Sequence, residues 1–125
     1  MHVATQQPVA LSPLQEPEPD ASIVNGPLDD FRSRTPTAGD VLCACEVADS
    51  SLRYDRTTKQ RLYATAGIPR YLIVNLVDRT IELYADPDTS TGRYAGVQTI
   101  KSGESFDVEL GTGRVLTVNA DDVLP

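Results

Sequence analysis

The chain lacks any long hydrophobic run, and no stretch approaches the roughly 18 apolar residues that a membrane-spanning helix needs. Its N-terminus has no basic region followed by an apolar segment, so the sequence predicts neither a membrane span nor a signal peptide. Cysteine is also scarce, with two residues in 125. Cys43 and Cys45 form a C-x-C pair, which by itself is no zinc site. We interpret them as small buried side chains of a cytoplasmic protein in a reducing environment.

Positive charge is scarce as well, since 11 Lys and Arg residues stand against 18 Asp and Glu, for a net charge of −7. The first of these cations is Arg32, and Lys59 is the only lysine before Lys101. A net negative charge disfavours loose attraction to nucleic acid or to an anionic membrane. The densest positive cluster comprises Arg53, Arg56 and Arg61. It forms either a solvated basic face or, if any surface of this chain meets phosphate, that surface.

The order of apolar segments indicates the fold class. The length suits one domain, residues 1–125, with one modest core. VLCACEV at 41–47 and RYLIVNL at 70–76 are near-continuous apolar runs, typical of strands covered on both faces. Between them, residues at about 51–66 have a helical pattern. The sequence therefore predicts an α/β (α+β) fold, with a mixed β-sheet, one main helix and antiparallel C-terminal strands.

The predicted main helix has recognisable ends and one unusual residue. Asp55 or Ser51 is the expected N-cap, and Gly67 ends the helix. Lys59 stands four residues before Tyr63, so both lie on the apolar stripe that faces the sheet. The spacing therefore predicts that Lys59 points towards the sheet and away from bulk water.

Two carboxylates are predicted to meet at one end of the sheet. Glu46 ends an apolar strand, on the same face as Leu42 and Ala44 if the strand alternates regularly. Asp20 precedes the short apolar strand ASIV. Converging carboxylates form a hard oxygen site suited to Mg²⁺ or Mn²⁺, and such an ion polarises a water for attack on phosphorus. A nearby lysine, Lys59, would stabilise the charge that grows on the phosphate.

Each of these residues also has a plainer interpretation. Asp20 is then a loop cap and Glu46 the solvated end of a strand. Lys59 is then a surface lysine with a buried stem, and Tyr63 is a core side chain. Composition alone leaves both sets of interpretations open.

A family resemblance is carried by four stretches: PEPDASIV, VLCACEVADSSLRYDRTTKQRLYATAGIPRYLIVNL, RTIELYADP and ADDVLP. Together they resemble the Uma-two family of restriction-endonuclease-type proteins, in the PD-(D/E)XK nuclease superfamily, from about His2 to the last residue. The resemblance implies a restriction-endonuclease-like core. It also implies a metal-dependent DNA endonuclease that hydrolyses phosphodiester bonds with Mg²⁺ or Mn²⁺.

The resemblance also implies roles for individual residues. Asp20 and Glu46 would be catalytic metal ligands, and Val47 would offer its backbone carbonyl to the metal. The superfamily's usual lysine would stand at position 48, which is alanine here, and Lys59 would take over its catalytic role. Tyr63 would complete a K-x-x-x-Y pair on the helix.

One departure from the family pattern concerns the N-terminus. Family members usually carry a helical region and a hairpin before the PD strand, and this chain starts just upstream of Pro8. We therefore expect a truncated domain with part of one sheet face uncovered, which favours a homodimer or a weakly stable monomer of low nuclease activity. The alternative function is a non-catalytic remnant of the nuclease fold that serves as a binding module.

Overall fold

The computed structural model describes residues 1–111 and 113–125. Its strands are β1 (His2–Thr5), β2 (Ala21–Val24), β3 (Val41–Ala48), β4 (Arg70–Asn75), β5 (Thr80–Asp88), β6 (Arg93–Lys101), β7 (Ser105–Glu109) and β8 (Val115–Asn119). The first six form one sheet in the order β1-β2-β3-β4-β5-β6, and β7 and β8 form a separate antiparallel hairpin. Only the β3–β4 pair of the larger sheet is parallel. The predicted mixed α+β fold is confirmed, and it fits a restriction-endonuclease-like core.

The main helix crosses one face of the sheet between the two parallel strands, because β3 and β4 need a crossover connection. It runs through an α-helical turn, Leu52–Tyr54, a π-helical turn, Asp55–Lys59, and a second α-helical segment, Gln60–Thr65. The predicted helix at about 51–66 is confirmed. Shorter helical turns cover Leu28–Phe31, Ala38–Asp40 and Ala120–Val123. In the part of the chain that the structure describes, no helix is both long and apolar enough to cross a membrane.

Of the two predicted caps of the main helix, Ser51 occupies the N-cap position and Asp55 does not. Ser51 makes no side-chain hydrogen bond to a backbone N–H at the helix start. Its hydroxyl instead donates to the Asp55 carboxylate, at 2.8 Å. The helix begins at Leu52, so Asp55 falls inside the π-helical turn, where it is buried. A π-helical turn often marks a functional site.

Both faces of the central strands β3 and β4 are covered, as their continuous apolar runs predicted, whereas the edge strands β1 and β6 are largely exposed. The face under the main helix holds an aromatic core that includes Tyr63, Tyr71, Tyr84 and Tyr94. The opposite face packs under the β7–β8 hairpin through an aliphatic core built around Leu72, Ile81, Ile100, Phe106 and Val108.

A β-bulge in β3 changes which side chains share the face of Glu46. Ile23 of β2 pairs with Cys43, but the next residue, Val24, pairs with Val41, so Leu42 is an extra residue in β3. An extra residue moves the preceding side chains to the other face. Leu42 therefore packs on the hairpin side, and the prediction that it shares the face of Glu46 is wrong. Ala44, beyond the bulge, lies on the helix side as predicted.

Candidate active site

Four tyrosines pack together between the main helix and the sheet, with Tyr63 on the helix and Tyr71, Tyr84 and Tyr94 on the strands. The ring centroids of Tyr63 and Tyr71 lie 5.0 Å apart, and those of Tyr71 and Tyr84 lie 5.4 Å apart. Each buried hydroxyl needs a partner, which ties these rings to polar groups. The Tyr63 hydroxyl donates to Glu46 and the Tyr84 hydroxyl to Glu82. The aromatic core thus provides hydrogen-bond donors for two buried carboxylates.

The two carboxylates lie in one row across the sheet. Glu46 of β3 is level with Ile73 of β4, which is level with Glu82 of β5. Residues opposite each other on neighbouring strands share a face, and two strand spacings place the glutamates about 10 Å apart. Each glutamate is contacted by a cation from the π-helical turn: Glu46 by Lys59 and Glu82 by Arg56. These two ion pairs fix the position of the main helix relative to the sheet.

Glu46 is almost entirely buried, with 5% of its surface exposed. Its Oε2 accepts hydrogen bonds from Lys59 Nζ at 3.0 Å and from the Tyr63 hydroxyl at 2.8 Å. Its Oε1 accepts a longer bond, 3.3 Å, from the backbone N–H of Asp20. Burial raises the pKa of Glu46, and the bonds from Tyr63 and Lys59 act against that rise. Lys59 thus provides the charge partner that a buried carboxylate requires.

Asp20 is joined to the same strand end by a reciprocal pair of bonds. Its N–H donates to Glu46, and its Oδ2 accepts the backbone N–H of Val47 at 2.7 Å. The N–H and C=O of one strand residue point to the same side of the strand. The Val47 carbonyl therefore faces the side on which Asp20 lies.

Lys59 connects this buried centre to the surface. Its side chain is 18% exposed, and it lines a groove of about 720 Å³ beside the main helix, together with Tyr54, Thr58 and Arg61. Its ammonium carries three donors, of which the bond to Glu46 uses one. Lys59 can therefore contact a group that enters the groove while it remains bonded to Glu46.

The sequence-predicted residues are thus brought together: Asp20, Glu46, Val47, Lys59 and Tyr63 form one connected set at the end of β3. Among the described residues, no group of three or more His, Cys, Asp and Glu side chains is arranged to hold a metal ion.

Glu82, the second glutamate of the row, is a site residue that was not predicted from the sequence. Arg56 Nε lies 3.1 Å from both carboxylate oxygens of Glu82, and Asn75 Nδ2 donates to Glu82 at 3.2 Å. Burial by itself would raise the pKa of Glu82, but the bonds from Arg56, Tyr84 and Asn75 outweigh it and lower the pKa. The signal in the sequence is the alternation of TIELYA, which puts Glu82 on the same face as Tyr84 in a strand with few other polar residues.

Replacing Glu82 by glutamine is expected to lower the free energy of unfolding by about 1–3 kcal/mol at neutral pH, because Arg56 loses a charged partner. A lowered pKa stabilises the fold above the ordinary glutamate value of 4.5, and that stabilisation is lost as the pH falls through the lowered value. Urea unfolding of wild type and Glu82→Gln should be measured from neutral pH down to acid pH. The difference between their free energies of unfolding should shrink as the pH falls.

The matched control for this prediction is Asp29→Asn. The Asp29–Arg32 pair has both side chains 76% exposed, so its loss should change stability by no more than about 0.5 kcal/mol. A Glu82→Gln variant as stable as Asp29→Asn, or a pH-independent difference from wild type, would contradict the structural role of the Glu82 network.

The mixed sheet crossed by one main helix fits the core of the restriction-endonuclease-like class. Residues 1–119 match the model of the Uma2 family, which carries the description "Putative restriction endonuclease". The chain therefore belongs to the Uma2 family, and the predicted family resemblance is confirmed. A search of curated proteins found no match.

Proposed function

We propose that the protein is a metal-dependent DNA endonuclease that hydrolyses phosphodiester bonds at the centre formed by Asp20, Glu46 and Lys59. The observation that carries the proposal is the reciprocal bonding of Asp20 with residues 46 and 47, next to a lysine that reaches both Glu46 and a surface groove. The family description supports a nuclease.

The donor set fits Mg²⁺ or Mn²⁺. Asp20 and Glu46 offer carboxylate oxygens and Val47 offers a carbonyl oxygen, and hard divalent ions prefer oxygen ligands. Two protein carboxylates suffice for Mg²⁺, which usually keeps several of its waters. In the described part of the chain, Asp20 Oδ1 accepts no protein hydrogen bond, so it is available as a ligand. When bound, such an ion supplies a Lewis acid for the phosphoryl oxygen and a more acidic water.

The side chains around Glu46 have further roles besides metal binding. Tyr63 and Lys59 orient the Glu46 carboxylate and favour its ionised form. The unused donors of the Lys59 ammonium are directed to a phosphate in the adjoining groove, where a fixed positive charge stabilises the more negative transition state. Burial under the main helix keeps water away from the Glu46 contacts and strengthens them.

A non-catalytic binding module is the second candidate. It is favoured by the state of Glu46, since both of its oxygens are engaged by protein donors and 5% of the residue is exposed. A divalent ion would have to displace some of these bonds. The two candidates differ in metal affinity and in cleavage. The homodimer predicted from the sequence stays a prediction under either.

Metal binding gives the direct test. Asp20→Asn and Glu46→Gln are each expected to weaken Mn²⁺ binding by about tenfold or more, because each removes a negative ligand, and to abolish nicking of supercoiled plasmid. Calorimetry with Mn²⁺ measures the affinity. Asp49→Asn, at an exposed position just after β3, is the control and should behave like wild type.

Equal Mn²⁺ affinity in wild type and both site variants would overturn the metal site. If both site variants bind Mn²⁺ more weakly than wild type, as expected, but wild type does not nick plasmid, the non-catalytic module is favoured over the nuclease.

A further inference from the structure

A second groove lies along the main helix, on the opposite flank from the groove that Lys59 lines. It has a volume of about 630 Å³ and runs between the helix and the β5–β6 hairpin. Three arginines line it, Arg56, Arg61 and Arg93, with Thr58 and Thr91 among the other polar side chains. No carboxylate belongs to its lining among the described residues. We call it the basic groove.

Charge sets the basic groove apart from the rest of the molecule. The chain carries a net charge of −7. Another groove is also lined by arginines without a carboxylate, but both of them, Arg32 and Arg34, form ion pairs with nearby aspartates. In the part of the chain that the structure describes, neither Arg61 nor Arg93 forms an ion pair. Asp88 is the cross-strand neighbour of Arg93, but its carboxylate accepts bonds from Ser90 and from the N–H of Thr91. The guanidinium groups of these two arginines are therefore available to bind an anionic ligand.

The walls of the basic groove are held together. Gln60 of the main helix accepts the backbone N–H of Tyr94 of β6, at 3.2 Å. The stem of Arg61 lies against Gly92, where a Cβ atom would come within 2.9 Å of Arg61 Cγ. Gly92 also has a φ of +70°, which favours glycine. The loop thus leaves room for Arg61 and places it beside Arg93.

The basic groove adjoins the groove that Lys59 lines. Thr58 and Arg61 belong to the lining of both, so the two grooves flank the same stretch of helix. A polyanion lying across this stretch would meet Lys59 on one side and the arginines on the other. The groove of Lys59 also has Glu16 in its lining, so the acid-free part of this surface is the basic groove. Regularly spaced phosphates match the arginines there.

We infer that the basic groove binds the phosphate backbone of double-stranded DNA next to the position where Lys59 meets the phosphate to be cleaved. This inference rests on the proposed function, because it takes DNA as the substrate. It assigns Arg61 and Arg93 to backbone contact, which positions a duplex without reading its sequence.

The experiment measures duplex binding without cleavage. Fluorescence anisotropy of a short labelled duplex, without divalent cations, compares wild type with Arg61→Gln and Arg93→Gln. Each variant should bind about tenfold more weakly at low salt, and each should reduce the slope of log K against log salt by about 1. Arg114→Gln is the control, because Arg114 is exposed just before β8, away from the basic groove. It should bind like wild type.

The outcomes separate this inference from the proposed function. Duplex binding that depends on Arg61 and Arg93, with no plasmid nicking in Mg²⁺, keeps the basic groove and removes the nuclease. Plasmid nicking by wild type, with Arg61→Gln and Arg93→Gln binding the duplex as Arg114→Gln does, removes the basic groove. Poly-glutamate that competes with the duplex at equal charge concentration would also overturn the inference, because the groove would then accept any polyanion.

Discussion

Replacing Lys59 by methionine is expected to lower the rate of DNA cleavage by about 10²-fold or more, the scale of losing one charge partner of the transition state. Methionine keeps an unbranched stem that can pack beside Tyr63, so the change removes the ammonium and little of the packing. The measurement is single-turnover nicking of supercoiled plasmid at saturating Mg²⁺.

Two accompanying measurements show whether the effect belongs to the chemistry. Mn²⁺ affinity should not fall in Lys59→Met, because Lys59 is not a ligand and its ammonium occupies Glu46 Oε2 in the absence of metal. Lys101→Met, at the exposed end of β6, should cleave like wild type. If Lys59→Met cleaves at the wild-type rate, Lys59 serves only as the ion-pair partner of Glu46.

The position of Lys59 could be predicted because it depends on local spacing. A residue four positions before a core tyrosine shares its helix face, and Lys59 and Tyr63 do contact the same oxygen of Glu46. The fold class could be predicted for a similar reason. Strands covered on both faces leave a continuous apolar run, as β3 and β4 do.

The π-helical turn could not be predicted in this way, because its contacts come from distant parts of the chain. Within that turn Asp55 is buried, and its carbonyl accepts the hydroxyl of Tyr71 from β4. The next residue, Arg56, bonds to Glu82 of β5, which is 26 residues away in sequence. Local propensity describes neither contact, so the sequence indicated an ordinary helix with Asp55 or Ser51 at its cap.

Which side chains share a face or a row of the sheet depends on strand register, and register could not be predicted from the sequence. The bulge at Leu42 moves the side chains of Val41 and Leu42 to the other face of β3, and nothing in the run VLCAC distinguishes it from a regular strand. The alignment of Glu46 with Glu82 requires the pairings of both with Ile73. Once those pairings are known, the alternation of each strand fixes the row.

Tyr71 joins the aromatic core to the π-helical turn through its bond to the Asp55 carbonyl. Tyr71→Ala is expected to lower the free energy of unfolding by about 3–5 kcal/mol, because the residue is fully buried and the cavity cannot close by small shifts. That is a large part of the roughly 5–15 kcal/mol that stabilises a typical domain.

Tyr71→Phe separates packing from hydrogen bonding. The phenyl ring keeps its contacts with Tyr63 and Tyr84, so the expected loss of stability is about 1–2 kcal/mol, for a buried carbonyl of Asp55 left without its donor. Tyr54→Ala, a 53% exposed tyrosine of the same helix, is the control and should change stability by about 0.5 kcal/mol or less. Urea unfolding gives all three values.

Equal losses for Tyr71→Ala and Tyr54→Ala would contradict the aromatic core, and equal stability of Tyr71→Phe and wild type would mean that the bond to Asp55 does not hold the π-helical turn.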